Sequence, residues 1–161
     1  MCPLEMAMGT VSVTERYSLI LIRMGVFLFL LGLFTGLLVP SLANPRMGLS
    51  SHVEGVMNGM LLVIMGLIWP RLHLPDRAIK AAGWLLVYGA YANWVMTLIA
   101  ALWAAGGSMM PIASMGQMGT RVQEMIIGML AVSLAFALLS GTILVLIGLR
   151  GGNHPVTRSR H

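Results

Sequence analysis

Residues 24–45 read MGVFLFLLGLFTGLLVPSLANP, twenty-two positions without a Lys, Arg, Asp or Glu. Such a run matches the roughly 20 apolar residues that an α-helix needs to cross the hydrocarbon core of a bilayer. Three further windows are equally free of charge: Gly55 to Pro70, Ala81 to Thr120 and Met125 to Leu149. In a chain of 161 residues, 58% hydrophobic and only 9% charged, four spans with short connections consume almost the whole length. Soluble domains carry roughly 25% charged residues, so water is not the main solvent here. The expectation is one all-α domain over 1–161, a polytopic membrane protein built as a four-transmembrane-helix bundle.

Helix ends follow from the residues that interrupt these runs. The first helix is expected over about 17–39, closing before Pro40, with Arg23 inside it and its long stem reaching toward the headgroups. A second covers about 51–69, because Pro70 cannot continue it cheaply. The third covers about 81–105 and stops at Gly106-Gly107; the fourth covers about 122–149 and stops at Gly151-Gly152, leaving a short polar tail over 150–161. Leu19 to Val39 followed by Ser41-Leu42-Ala43 has the outline of a secretory signal with its cleavage site. Its apolar stretch exceeds the roughly 7–15 residues of such a signal, and Glu5 and Glu15 do not suit a positive leader, so it reads as a retained span.

The net charge of +5 does not point to nucleic acid, because the basic residues lie in short segments between apolar runs and form no patch with interleaved aromatics. They sort by membrane side instead. Arg16, Arg71, Arg77, Lys80, Arg150, Arg158 and Arg160 fall on one side, Arg46 and Arg121 on the other. This bias makes both termini and the middle loop cytoplasmic, in what is expected to be a bacterial inner membrane. The single cysteine, Cys2, excludes an internal disulfide and a thiolate metal cluster. Small residues spaced by four, Gly32 and Gly36, Gly55 and Gly59, Ala131 and Ala135, Ala137 and Gly141, allow helices to approach closely.

Polar side chains are costly in lipid, and they concentrate in Ser50-Ser51-His52-Val53-Glu54-Gly55-Val56-Met57-Asn58-Gly59. At about 100° per residue, His52, Gly55 and Gly59 fall along one helical stripe, an imidazole beside a face stripped of side chains. That arrangement suits a flat ligand such as haem, whose iron takes imidazole nitrogen. A plainer reading, preferred on pattern alone, has His52 near the interface donating to a backbone carbonyl. Glu54 and Asn58, four apart, share a different face on which a carboxylate and an amide orient a polar substrate group or each other. Ser51 and Glu54 also form a capping-box pattern, in which the glutamate merely satisfies a backbone N–H at a helix start.

The third helix carries Trp84, Tyr88 and Tyr91 on one stripe and Gly89, Asn93 and Thr97 on nearly the opposite one. The aromatic stripe reads as packing or an interface belt before it reads as a substrate cage. Arg121 and Glu124, three apart, are expected to pair. Met109, Met110, Met115 and Met118 invite a Cu(I) reading, but methionine is abundant along the whole chain, 15 in all, and an adaptable apolar surface is the better account. His154 and His161 are expected to be solvated.

The chain resembles the hydroxylaminobenzene mutases. The resemblance rests on Asn44-Pro45-Arg46-Met47-Gly48-Leu49, Ser51-His52-Val53-Glu54-Gly55, Asn58-Gly59-Met60, Tyr88-Gly89, Tyr91-Ala92-Asn93-Trp94 and Met109-Met110-Pro111-Ile112-Ala113. More distantly it is similar to the styrene oxide isomerases, in which a histidine at the start of the second helix precedes Asn-Gly by the spacing of His52 and Asn58-Gly59 and the third helix carries the counterpart of Tyr91-Ala92-Asn93. The resemblance implies a homotrimer with ferric haem b between subunits, His52 as axial ligand to the iron, and Lewis-acid chemistry without net redox change; the stripe shared with His52 then puts Gly55 and Gly59 beside the cofactor. Gly89 and Thr97 stand where the isomerases carry an acid and a tyrosine near the substrate, which argues against an epoxide.

For a mutase, the implied reaction turns a small aryl hydroxylamine into an ortho-aminophenol. Asn58 then orients the N–OH group, Tyr88, Tyr91 or Trp94 flanks the ring, Asn93 belongs to the same site, and Glu54 carries a proton. The alternative from another class is a non-catalytic haem-bearing anchor or electron-transfer subunit. Such anchors usually hold haem with two ligands, whereas His52 and His73 lie on opposite membrane sides and His154 in the tail. A methionine-dependent copper carrier is a third option.

Overall fold

The computed structural model describes residues 12–150. Cys2, the Gly151-Gly152 stop, His154, His161, Arg158, Arg160 and nearly all of the polar tail over 150–161 lie outside the described residues.

All regular structure among the described residues is helical: α1 Val13–Leu38, α2 Pro45–Ile68, α3 Asp76–Trp103, a single turn α4 Pro111–Ser114, and α5 Arg121–Arg150. The four long helices are each long and apolar enough to cross a membrane. Each starts earlier than charge and hydropathy alone suggest, because cap chemistry sets helix ends while hydropathy marks only the lipid-facing part. Ser12 caps α1 through a reciprocal pair with Glu15, Ser12 N donating to Oε2 at 3.1 Å and Glu15 N donating to Ser12 Oγ at 3.2 Å. At α2 the side chain of Asn44 accepts from Met47 N at 3.1 Å and Pro45 occupies the first turn, where its missing N–H costs nothing.

This earlier start of α2 corrects the reading of Ser51 and Glu54 as a capping box. Both are interior helical residues, and Ser51, fully buried, donates through Oγ to Trp94 O at 3.3 Å. Proline-bearing 3₁₀ turns, Val39–Ser41 and Trp69–Arg71, continue α1 and α2 past the expected stops. α3 ends at Ala104, whose left-handed φ of 50° lets its N–H return to Ala100 O, ahead of Gly106.

Packing is uneven. α1 and α2 form the closest pair, α3 lies across both, and α5 packs chiefly on the far side of α3. The α1–α2 contact is backbone on backbone: a Cβ on Gly32 meets Val56 N at 2.6 Å, one on Gly55 meets Gly32 Cα at 2.6 Å, and one on Gly59 meets Phe29 N at 2.6 Å. Without a hydrophobic drive between helices in lipid, this proximity maximises dispersion contact. Ser18 adds a buried hydrogen bond across the same seam, Oγ donating to Gly66 O at 2.8 Å. On α5 the small residues divide: Ala137 is buried and Gly141 meets Leu86 and Leu85, whereas Ala135 faces outward. Large apolar side chains such as Phe34, Leu37, Phe136 and Leu139 point out of the molecule, as lipid requires.

Gly59→Leu, which drives a side chain into the α1 backbone, is expected to destabilise by about 3 kcal/mol or more. Gly128→Ala, whose Cβ has only Met109 Cγ nearby at 3.8 Å, is expected to be neutral or slightly stabilising. Thermal unfolding of the two variants in one detergent checks the contrast.

Candidate functional site

A carboxylate in a membrane-spanning helix needs partners, and α2 supplies one locally. Glu54 and Asn58 lie one turn apart, and Asn58 Nδ2 donates to Glu54 Oε2 at 3.2 Å. The second partner comes from α3, where Asn93 Nδ2 donates to the same oxygen at 2.6 Å. Asn58 is 7% exposed, while Glu54 and Asn93 are half-buried. Two amides on Oε2 hold the carboxyl plane, and Oε1 has no hydrogen-bond partner among the described residues. Glu54 and Asn58 line an open cavity of about 390 Å³ with Met57, Met60, Leu61 and Ile64. A polar end and thioether and aliphatic walls suit a small aromatic molecule bearing one polar group.

His52 stands two residues before Glu54, roughly 200° around the helix, and opens elsewhere. Its Nδ1 lies 2.8 Å from Gly32 O. A carbonyl only accepts, so the proton is on Nδ1 and the lone pair is on Nε2, a fixed tautomer of the kind that serves metal-ligating histidines. The ring fills the space over Gly36, where a Cβ meets Nδ1 at 2.7 Å. Around it lies a cavity of about 450 Å³ lined by Leu33, Gly36, Leu37, Val39, Pro40, Leu49 and His52. No cluster of three His, Cys, Asp or Glu side chains able to hold a bare metal ion occurs among the described residues. One oriented imidazole beside an apolar cavity fits a haem, whose iron is already held by the porphyrin nitrogens and would need only one ligand from the protein.

Other residues singled out from the sequence lie elsewhere. Gly55 and Gly59 do not form an open floor beside His52: both are used where the α1 and α2 backbones meet, and Trp94 Cδ1 closes on Gly55 from α3. Tyr91 is turned away from Glu54, its hydroxyl donating to Met24 O at 2.9 Å. Trp94 Nε1 donates to Thr35 Oγ1 at 3.1 Å, and Thr97 Oγ1 bonds back to its own helix at Asn93 O and Trp94 O. Tyr88 is exposed and shares a 2.8 Å hydrogen bond with Ser133 Oγ. Asn93, expected in the same site as Asn58 and Glu54, is brought directly onto Glu54.

Two residues, Asn44 and Glu124, order the loops beside the site in ways that the sequence pattern does not reveal. Asn44 caps α2 and also reaches across the chain, Nδ2 donating to Ser114 O at 3.0 Å and its backbone N–H to Ala101 O at 3.0 Å. Asn-Pro ahead of an apolar run is a readable cap signal; the bond to Ser114 is visible only in three dimensions. Glu124 does not pair with Arg121 as expected. Its carboxylate accepts from the backbone N–H groups of Gly106 at 2.7 Å, Gly119 at 2.8 Å and Ser108 at 3.0 Å. Met109, Met115 and Met118 are exposed in the loop thus gathered, while Met110 packs on the core beneath it.

The family model described as styrene oxide isomerase matches residues 17–150. Hydroxylaminobenzene mutase HabB of Ectopseudomonas oleovorans is 51% identical over 145 residues, covering 90% of this chain and 88% of that protein. Hydroxylaminobenzene mutase HabA of the same organism is 50% identical over 125 residues, covering 78% of this chain and 93% of its own length. No solved structure matches the chain.

Asn44→Ala removes a helix cap and one of the two hydrogen bonds to the buried Ser114 carbonyl, the other coming from Gln117 N, so a loss of about 2 kcal/mol is expected. A lowered thermal midpoint together with faster protease nicking between Ala104 and Thr120 is the signature to measure.

Proposed function

The chain belongs to the styrene oxide isomerase family and to the hydroxylaminobenzene mutases, and on that premise we propose that it rearranges hydroxylaminobenzene to ortho-aminophenol. The observation that carries the reading is Glu54, a carboxyl group held by two amides at the end of an aryl-sized apolar cavity inside a membrane-spanning helix. Both curated relatives carry the mutase name, so a non-catalytic anchor is not favoured.

The rearrangement breaks N–O, forms C–O at the adjacent ring carbon, removes one proton from that carbon and returns one to nitrogen, with no net electrons gained or lost. Glu54 is suited to the proton work. Its Oε1 has no partner among the described residues while Oε2 is fixed, so one carboxyl group takes the ring proton and gives one to nitrogen without reorienting. Asn58 Oδ1, without a partner among the described residues, accepts from the N–OH or N–H group and sets the substrate's angle. Asn93 acts through Glu54, and Tyr91 through the seat of α1 on α3.

His52 is the residue that fits ferric haem b, since its Nδ1–H is held by Gly32 O and its Nε2 remains available. When bound, the haem supplies a Lewis acid that draws electron density from the N–O bond without net redox change. His52 and Glu54 open on different faces of α2 in one chain, and Glu54 sits at an edge that no helix of this chain covers fully. The reading extends to a cyclic homotrimer, which would seat a second copy at these edges and take a partly exposed carboxyl out of lipid. Both termini cytoplasmic is the orientation that the distribution of Lys and Arg supports, and a bacterial inner membrane is the setting proposed with it.

Purified protein is expected to show a Soret band that shifts on adding an aryl hydroxylamine, and to convert hydroxylaminobenzene to ortho-aminophenol. His52→Ala is expected to lose both the band and the activity; a variant that keeps both removes His52 from the site. Glu54→Gln is expected to keep the Soret band and lower kcat by about 100-fold or more. Undiminished turnover in that variant rules out the proton role of Glu54.

A further inference from the structure

At the opposite end of the molecule from the start of α2, where α1 and α3 begin, lies a cavity of about 280 Å³ lined by Val13, Arg16, Tyr17, Ile20, Lys80 and Trp84. It combines two cations from different helices with a partly apolar floor. The two helices are brought together there by Tyr17, whose ring lies over Gly83 so closely that a Cβ on that glycine meets Tyr17 Cδ1 at 2.6 Å. Arg16 and Lys80 therefore share one cavity, and both are exposed at its rim. The acidic residues of the same turns leave room for an anion: Glu15 is turned back onto Ser12 N at 3.1 Å, and Asp76 stands exposed at the first position of α3 and outside the lining. Both helices present their N-terminal, positive ends at this level, which further favours negative charge.

Beside the cations, Trp84 is 58% exposed, and Val13 and Ile20 are half-buried. An indole of this kind sits at the headgroup level of a bilayer, amphipathic between water and acyl chain. A free phosphate matches the two cations and leaves Val13, Ile20 and Trp84 without a partner. An amphiphile whose phosphate carries the charge and whose glycerol and first methylenes are apolar matches all of them. We propose that this cavity binds the headgroup of an anionic phospholipid, its phosphate between Arg16 and Lys80 and its glycerol region over Val13, Ile20 and Trp84. The assignment is independent of the chemistry at Glu54 and His52 and of which leaflet faces the cytoplasm.

The test is native mass spectrometry of the full chain in detergent, offered phosphatidylglycerol and phosphatidylcholine of identical acyl chains at equal concentration. Phosphatidylglycerol adducts are expected to dominate by about tenfold. The double variant Arg16→Gln, Lys80→Gln is expected to abolish that preference, and the charge-keeping Arg16→Lys to retain it. Arg71→Gln, Arg77→Gln, which removes two cations from the same end but outside the cavity, is also expected to retain it. Millimolar inorganic phosphate is expected to leave the lipid adducts in place. The proposal is overturned if the native chain shows no preference, if the Arg16, Lys80 double variant keeps it, if the preference moves with Arg71 and Arg77, or if inorganic phosphate displaces the lipid.

Discussion

Contact between the α1 and α2 backbones at Gly32 and Gly55 is the constraint on which the rest of the arrangement depends. A Cβ on Gly55 meets Gly32 Cα at 2.6 Å, so no other residue fits there without moving a helix. That approach places Gly32 O within 2.8 Å of His52 Nδ1 and thereby selects the imidazole tautomer. It also leaves a slot into which α3 inserts Trp94, whose indole N–H reaches Thr35 on α1 at 3.1 Å. Widening the seam moves His52 off its carbonyl and Trp94 off its threonine together, because all of these contacts share the same two glycines.

Several polar side chains within the spans find their partners inside the protein, as a surrounding without water favours. Thr35 bonds to Leu31 O, Thr97 to Asn93 O, Ser18 to Gly66 O and Tyr91 to Met24 O. Against that background the open Oε1 of Glu54 and the open Nε2 of His52 stand out. Each is half-oriented by a strong bond on its other atom, and each belongs to a residue that lines a cavity. Orientation on one side and availability on the other is what a reactive group requires. Trp69 Nε1, buried without a partner among the described residues, is a remaining exception and lies far down α2 from both.

At the end of the molecule where α2 begins, order comes from loops rather than helices. Asn44 joins the start of α2 to Ala101 and Ser114, and Glu124 gathers the N–H groups of Gly106, Ser108 and Gly119. Charge-assisted bonds to three backbone donors hold a segment that has only one helical turn of its own. The start of α2 is thus tied to α3 at Ala101 and to the α4 turn at Ser114, and the loop that carries that turn is held to α5 by Glu124.

Four membrane-crossing helices were legible in the sequence because a span is a matter of length and apolarity, and both are local properties. The concentration of polar residues between Ser50 and Gly59 was equally legible, since lipid makes such residues conspicuous. Helix starts were misplaced by up to six residues where caps such as Asn44-Pro45 outreach the hydropathy signal, and that error made Glu54 look like a capping residue. What only the tertiary structure decided was pairing. Periodicity put Glu54 with Asn58, but it took the crossing of α2 and α3 to add Asn93, the closeness of α1 to give His52 its carbonyl, and the same closeness to commit Gly55 and Gly59 to the helix seam. A helical sequence specifies which residues share a face; the neighbour that covers the face is set by packing across the chain, where small residues admit a backbone and large ones exclude it.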